Sequence, residues 1–188
     1  MKVYLDYSAT TPVDPQVYKA MRPYFSQIFG NPASLHSYGQ AARVAVDQAR
    51  QKVADFLGAQ PQEIIFTSGA TESDNLAIMG VIAGFKANNP QLKPHIIISS
   101  IEHDAVRQPG RQLEQLGVEV SWLPVNSQGI VEVNSLEKLI KPNTILVSVI
   151  YVNSETGARQ PLREIGSLLE KINKTREALG QQAEAHST

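Results

Sequence analysis

Glu63-Ile64-Ile65-Phe66-Thr67-Ser68-Gly69-Ala70-Thr71-Glu72-Ser73 opens the stretch that decides the fold. It reads as a short strand over Glu63 to Phe66, a turn of small residues, and a helix from Thr71 to about Lys86. Ile96-Ile97-Ile98 then predicts a second strand, and a helical stretch runs on to Leu116. A strand over Glu119 to Val125, a turn at Asn126-Ser127-Gln128-Gly129, a short helix around Ser135 to Ile140 and the run Thr144 to Tyr151 continue the alternation. That last run lacks a polar face, so it is expected to be buried on both sides. Leu162, Ile165, Leu168, Leu169, Ile172 and Leu179 form the apolar stripe of a closing helix. Strands separated by helices predict an α/β fold, a mostly parallel sheet with right-handed crossovers. Gln181 to Thr188 breaks the rhythm, because the apolar strand due next does not come.

Before this stretch, the pattern predicts a helix over Pro12 to Phe29, halted by Gly30-Asn31-Pro32, and a second over about Ser34 to Leu57. The second carries Ala42, Val46, Ala49, Val53 and Phe56 on one face, pairs Arg43 with Asp47 on the other, and ends at Gly58 as a left-handed cap. The chain has 188 residues, 17 basic and 18 acidic side chains, and a net charge of −1 without runs of like charge, which gives no footprint for nucleic acid. Hydrophobic residues make up 42%, enough for a buried core at this length. No segment is apolar for long enough to span a membrane, and a charge interrupts the amino terminus before a leader could develop, so a cytoplasmic location is expected. With no cysteine, the chain offers neither disulfide nor thiolate. His36, His95, His103 and His186 show no metal-ligand spacing, so no metal site is expected.

In an open parallel sheet, ligands bind beyond the carboxyl ends of the strands. Three of those ends are polar. Thr67 to Ser73 runs into a helix whose first N–H groups and positive dipole end suit a phosphate. The alternative is a plain capping box from Thr71 to Asp74. Neither a P-loop nor a dinucleotide fingerprint is present. Glu102-His103 puts an imidazole at the next strand end, suited to stacking on a planar ligand or moving a proton, or simply to starting a helix. Val152-Asn153-Ser154-Glu155-Thr156-Gly157 offers amide, hydroxyl and carboxylate groups, and is also ordinary turn chemistry. His36 reads as a loop or cap residue and His95 as a strand start.

Tyr4-Leu5-Asp6-Tyr7-Ser8-Ala9-Thr10-Thr11-Pro12, Phe29-Gly30-Asn31-Pro32, Thr67-Ser68-Gly69-Ala70-Thr71-Glu72-Ser73-Asp74-Asn75, Glu102-His103 and Val152-Asn153-Ser154-Glu155-Thr156-Gly157 together resemble the cysteine desulfurases, in order and spacing, from residue 3 to about 170. The resemblance implies a fold-type I large domain dependent on pyridoxal 5′-phosphate, homodimeric, taking sulfur from L-cysteine to give L-alanine and an enzyme persulfide. Iron–sulfur cluster assembly or tRNA thiolation would follow through sulfur-acceptor proteins. It further implies that Ala70 and Thr71 bind the cofactor phosphate, that His103 is catalytic and stacks on the pyridine ring, and that Asn153 and Ser154 are on the cofactor side. Asn31 would be on the substrate side. Many members carry a second Asn where this chain has Ser154, and a hydroxyl cannot donate two N–H bonds.

Residues 1–15 are expected to pack with a small domain, and 16–188 to form part of the cofactor-binding large domain. The family's Asp for the pyridinium nitrogen, its covalent anchoring Lys, its persulfide-forming Cys and its substrate-carboxylate Arg all come later than His186-Ser187-Thr188. By this resemblance the chain is an amino-terminal half, inactive alone and completed by a carboxyl-terminal half. Two other readings stay open, a non-catalytic fragment that binds a desulfurase, and another fold-type I lyase or aminotransferase.

Overall fold

The structure, a computed structural model, describes residues 1–178 and 186–187. It divides into two compact units, Met1–Phe66 and Thr67–Thr188.

In the first unit, α1 (Pro15–Met21) starts at Asp14, whose carboxylate accepts the Gln16 N–H at 2.7 Å. The expected long helix breaks here, and a 3-10 turn over Arg22–Phe25 takes over because Pro23 has no N–H to continue the α-helical ladder. The next helix, α2 (Ser37–Leu57), is capped by His36, whose Nδ1 accepts the Gly39 N–H, and ends at Gly58 with φ of 67°. Its buried line is not the predicted one. Ala42 and Ala54 are covered, whereas Phe56 is 88% exposed and Ala49 is open. The chain returns along the Val46, Arg50 and Ala54 side, where the Arg50 guanidinium donates to the Ile64 carbonyl and lies 4.9 Å from the centre of the Phe66 ring. That contact also accounts for the missing strand over Glu63 to Phe66. Pro61–Glu63 forms a 3-10 turn, and residues 64–66 run on without strand pairing among the described residues.

Gly30 and Gly39 let the Asn31 loop lie directly on the start of α2. A Cβ at Gly39 would stand 2.2 Å from the Ser34 carbonyl oxygen, and one at Gly30 would stand 2.2 Å from that of Tyr38. Both obstacles are backbone, which cannot swing aside.

The second unit is a three-layer sandwich. Between α3 (Ala70–Asn88), α4 (Asp104–Gln115), α5 (Val133–Leu139) and α6 (Leu162–Ala178) run strands β1 (His95–Ser99), β2 (Glu119–Leu123) and β3 (Thr144–Ser148), with a two-residue β4 (His186–Ser187). All pair in parallel, in the order β2-β1-β3-β4. β1 and β3 are buried throughout. The burial expected for Thr144 to Tyr151 holds as far as Val149, whereas Ile150 is half-buried and Tyr151 exposed, because the strand ends at Ser148 and the chain leaves the sheet. Ile96 and Ile98 face Ile78 and Ile82 of α3 and Val106 and Leu113 of α4. Ile97 faces the other way, with Leu136 of α5 and Ile165 and Leu169 of α6. A full burial of each such side chain contributes about 1.5–3 kcal/mol, so this core is the main stabilising term of the unit.

β4 revises the expectation that no strand follows α6, because ladder hydrogen bonds come from backbone and do not require apolar side chains. Leu179 of the expected closing stripe and the break over Gln181–Ala185 lie outside the described residues. Between β1 and β3 the register slips once. His95 pairs with Thr144, but Ile96 pairs with Leu146, leaving Ile145 as an extra residue.

The amino-terminal edge of this sheet is closed by polar side chains. The Lys141 N–H donates to Thr144 Oγ1 at 2.7 Å, and the same hydroxyl shares a hydrogen bond with Nδ1 of His95, also at 2.7 Å. The other ring nitrogen, Nε2, shares one with the Ser121 hydroxyl at 2.9 Å. His95 is fully buried and neutral, its pKa held below the ordinary value by burial and by Lys141, against an opposing pull from Glu119. Arg176 donates to the carbonyls of Thr144 and Lys141 at the same edge.

Because unfolding frees His95 to titrate near 6.5, the unfolded state binds more protons between that value and the lower folded one. Stability from this residue is complete above the unfolded value and is lost as pH falls below it. Urea melts from about pH 7.5 to about pH 5.5 should show a falling midpoint, and His95→Gln should start lower but flatten the decline. Gly39→Ala should cost about 1–3 kcal/mol in the same assay, and a midpoint equal to the parent's would contradict the close approach.

Candidate functional site

α3 starts without a side-chain cap. Its N-cap is Gly69, so the predicted capping box from Thr71 does not form. Instead Glu72 reaches back, accepting the Ser68 N–H at 2.8 Å and the Ser68 hydroxyl at 2.5 Å, and those two bonds hold its carboxyl below the usual range. Thr67 and Ser73 join their hydroxyls at 2.6 Å across the same turn. Ser73 is the first residue of the helix whose N–H finds a carbonyl, that of Gly69. Among the described residues, the N–H groups of Ala70, Thr71 and Glu72 and the Thr71 hydroxyl have no partner. Three amides at the positive end of a 19-residue helix, with a hydroxyl beside them, form a donor set for an anion.

One side chain, Asn75, connects this turn with the start of α4. The Asn75 amide donates to the Thr71 carbonyl at 2.8 Å and to the Ala105 carbonyl at 3.4 Å, bringing the first turns of α3 and α4 together. Thr71, Asn75, Asp104 and Ala105 line one open cavity of about 660 Å³. His103 is the N-cap of α4. Its Nδ1 accepts the Ala105 N–H at 3.1 Å, which leaves the ring hydrogen on Nε2, and the ring is exposed.

Beneath His103 lies Glu102, only 7% exposed. Its Oε1 accepts the Ser99 hydroxyl at 2.7 Å and the Ile150 N–H at 2.6 Å, joining the ends of β1 and β3. Burial raises its pKa, with the negative charge of Asp74 adding, against the lowering by the two hydrogen bonds.

Asn153 is engaged by its own turn. Its Oδ1 accepts the N–H groups of Glu155 and Thr156 and the Thr156 hydroxyl, while Nδ2 donates to the Ile101 carbonyl at 3.0 Å. The amide thus ties the third strand end to the loop before His103. Ser154 is exposed and makes no hydrogen bond among the described residues, so it does not join this network. Asn31 belongs to the first unit, where its Oδ1 accepts the Ala33 N–H at 2.9 Å. In the second unit, then, Ala70, Thr71, His103 and Asn153 are linked through Asn75, Ala105 and Ile101. The connectors Glu102 and Asn75 were legible only as members of quoted motifs. Gln160, which holds the Val131 N–H and the Gly129 carbonyl, carried no sequence signal.

The donor set at α3 fits the phosphate of pyridoxal 5′-phosphate. The imidazole at the start of α4, one asparagine bridge away, suits its ring. No group of three or more His, Cys, Asp or Glu residues able to hold a metal occurs among the described residues.

The sequence profile described as aminotransferase class-V matches residues 3–177. Curated relatives include a cysteine desulfurase IscS of Dictyoglomus turgidum, 44% identical over 172 residues, which are 92% of this chain and 43% of that protein. Another is a mitosomal cysteine desulfurase of Encephalitozoon cuniculi, 51% identical over 89% of this chain and 38% of its own length. The chain thus spans about two fifths of the length of these relatives. Among solved structures, a NifS-like protein superposes with a TM-score of 0.87 at 38% identity, covering all of this chain and 48% of its own. A second, SspA in complex with cysteine, gives 0.83 at 40% identity over 90% of this chain and 48% of its own. The expected α/β architecture of fold-type I is borne out by these neighbours. Profile, relatives and superpositions agree, and the chain belongs to the aminotransferase class-V family.

Proposed function

We propose that this chain is the coenzyme-binding part of a pyridoxal-phosphate-dependent cysteine desulfurase, which takes sulfur from L-cysteine and leaves L-alanine. The observation that carries the reading is the Asn75 tie between two features: the first turn of α3, with its unpartnered amides, and the α4 turn that His103 caps. The names of the relatives, and the cysteine bound by one structural neighbour, favour this substrate.

When bound, pyridoxal phosphate supplies an electron sink that stabilises negative charge on the substrate carbon. The residues of this chain bind and orient it. Ala70 and Thr71 hold the phosphate through backbone N–H groups and the Thr71 hydroxyl, with the dipole of α3 favouring the negative charge. His103 lies against the ring, and the Ala105 N–H bond to Nδ1 restricts its rotation. Because Nδ1 is engaged by the Ala105 N–H, Nε2 is the ring nitrogen available to a ligand. Asn153 contributes by fixing the loop before His103, and the exposed Ser154 hydroxyl is available for a single or water-bridged contact. Asn31 belongs to the substrate side.

The 188 residues contain no cysteine, so the persulfide belongs on a thiol from the remainder of the protein. A homodimer in the cytoplasm, passing sulfur to acceptor proteins for iron–sulfur clusters or tRNA thiolation, completes the proposal.

The test is the complete protein supplied with pyridoxal phosphate and L-cysteine, with alanine and sulfide measured together. Alanine in step with sulfide is the expected result. Coenzyme binding with transamination of other amino acids, and no sulfide, would favour an aminotransferase instead. Thr71→Ala should weaken coenzyme retention about tenfold, the loss of one charge-assisted hydrogen bond, with little change in melting temperature. Equal retention by variant and parent would refute the phosphate assignment.

A further inference from the structure

A buried carboxylate immediately before the candidate ring-stacking histidine is not accounted for by coenzyme binding. Glu102 joins the ends of β1 and β3, reaching the Ile150 N–H 48 residues further along the chain. Both donors, the Ser99 hydroxyl and the Ile150 N–H, converge on the same oxygen. The Glu102 N–H also donates to the Ser99 carbonyl, closing a tight turn at the end of β1. Neighbouring residues are fixed as well. The Ile101 carbonyl is held by Asn153, and the His103 carbonyl receives the N–H groups of Val106 and Arg107, both at 3.0 Å.

We propose that Glu102 is a positioning residue, whose carboxylate anchors the loop 100–103 to the end of β3 and thereby sets where the His103 ring stands at the start of α4. The anchor matters because His103 itself is exposed and, among the described residues, its ring makes one hydrogen bond, from the Ala105 N–H at 3.1 Å. Any slack in the loop moves the ring directly, and a displacement of about 1 Å at a reacting group can cost up to about a hundredfold in rate. What the site requires at position 102 is an acceptor for two converging donors, which an amide oxygen also provides. An acid is tolerated although desolvation raises its pKa.

The inference rests on the proposed function for its catalytic consequence, but not for its geometry. The experiment therefore has two arms, both on the complete protein. In the first, without coenzyme, NMR follows the His103 ring and the Ala105 amide. Glu102→Ala should shift the ring signals and speed exchange at Ala105, and Glu102→Gln should restore the parent spectrum.

In the second arm, with pyridoxal phosphate and L-cysteine, Glu102→Ala should lower kcat about tenfold or more while KM for cysteine stays within about threefold. It should also change the circular dichroism of the bound coenzyme. Glu102→Gln should remain within about threefold of the parent in kcat. A lower melting temperature with unchanged His103 signals and unchanged kcat would reduce Glu102 to a structural tie and overturn the proposal, as would a Glu102→Gln variant no better than Glu102→Ala.

Should the parent bind no coenzyme, the proposed function fails and the first arm alone decides for or against positioning. Should Glu102→Ala not fold, Ser99→Ala removes one of the two donors. A smaller shift of the same His103 signals supports the anchor, and an unmoved ring refutes it.

Discussion

Parallel alignment of β1 with both of its neighbours is the constraint on which everything else in the second unit depends. Parallel strands need a crossover between each pair, which covers both faces of the sheet with helices and forces the strands to be apolar on both sides. It also gathers every strand's carboxyl end at one edge. Helices α3 and α4 consequently have their amino-terminal turns close to each other, linked by Asn75. No long-range charge attraction is needed to assemble the cleft.

The two edges of the sheet differ in how completely their polar groups are satisfied. At the amino-terminal edge, His95, Thr144, Ser121, Lys141 and Arg176 form a closed set of hydrogen bonds, with Lys141 also paired to Glu119. At the opposite edge, Glu102 and Asn153 fasten the loops, while the amides at the start of α3 are left without partners. A folded protein keeps few such groups in reserve, and those that remain mark where another molecule can complete the bonding.

The strongest patterns in the sequence were those determined locally. The isoleucine run of β1, the apolar run of β3 and the glycine that ends α2 each follow from a few adjacent residues. The cleft was legible through the polar turns after the strands and the family's motifs. What failed depended on distant partners. Residues 63–66 have strand composition but no strand to pair with among the described residues, and Arg50 takes the Ile64 carbonyl instead. The buried line of α2 is set by the side along which residues 61–66 return, which helical periodicity alone cannot specify. Thr71 resembled a cap, yet the N-cap is Gly69, two residues earlier than its spacing suggested. Glu102 was visible as a neighbour of His103, but its role depends on Ile150, far along the chain.

The single slip of register at Ile145 reaches further than its own neighbourhood. Successive residues of a strand alternate both the face of the side chain and the direction of the N–H, so one extra residue inverts both for all that follows. With it, Ile145 and Leu146 both enter the α3 and α4 side, Val147 and Val149 turn towards α5 and α6, and the Ile150 amide arrives at Glu102. Strand β3 thus acts as a ruler whose zero is fixed beside His95. Deleting one residue there would leave composition and hydrophobicity almost untouched, yet would turn the amide at the far end of the strand away from the cleft.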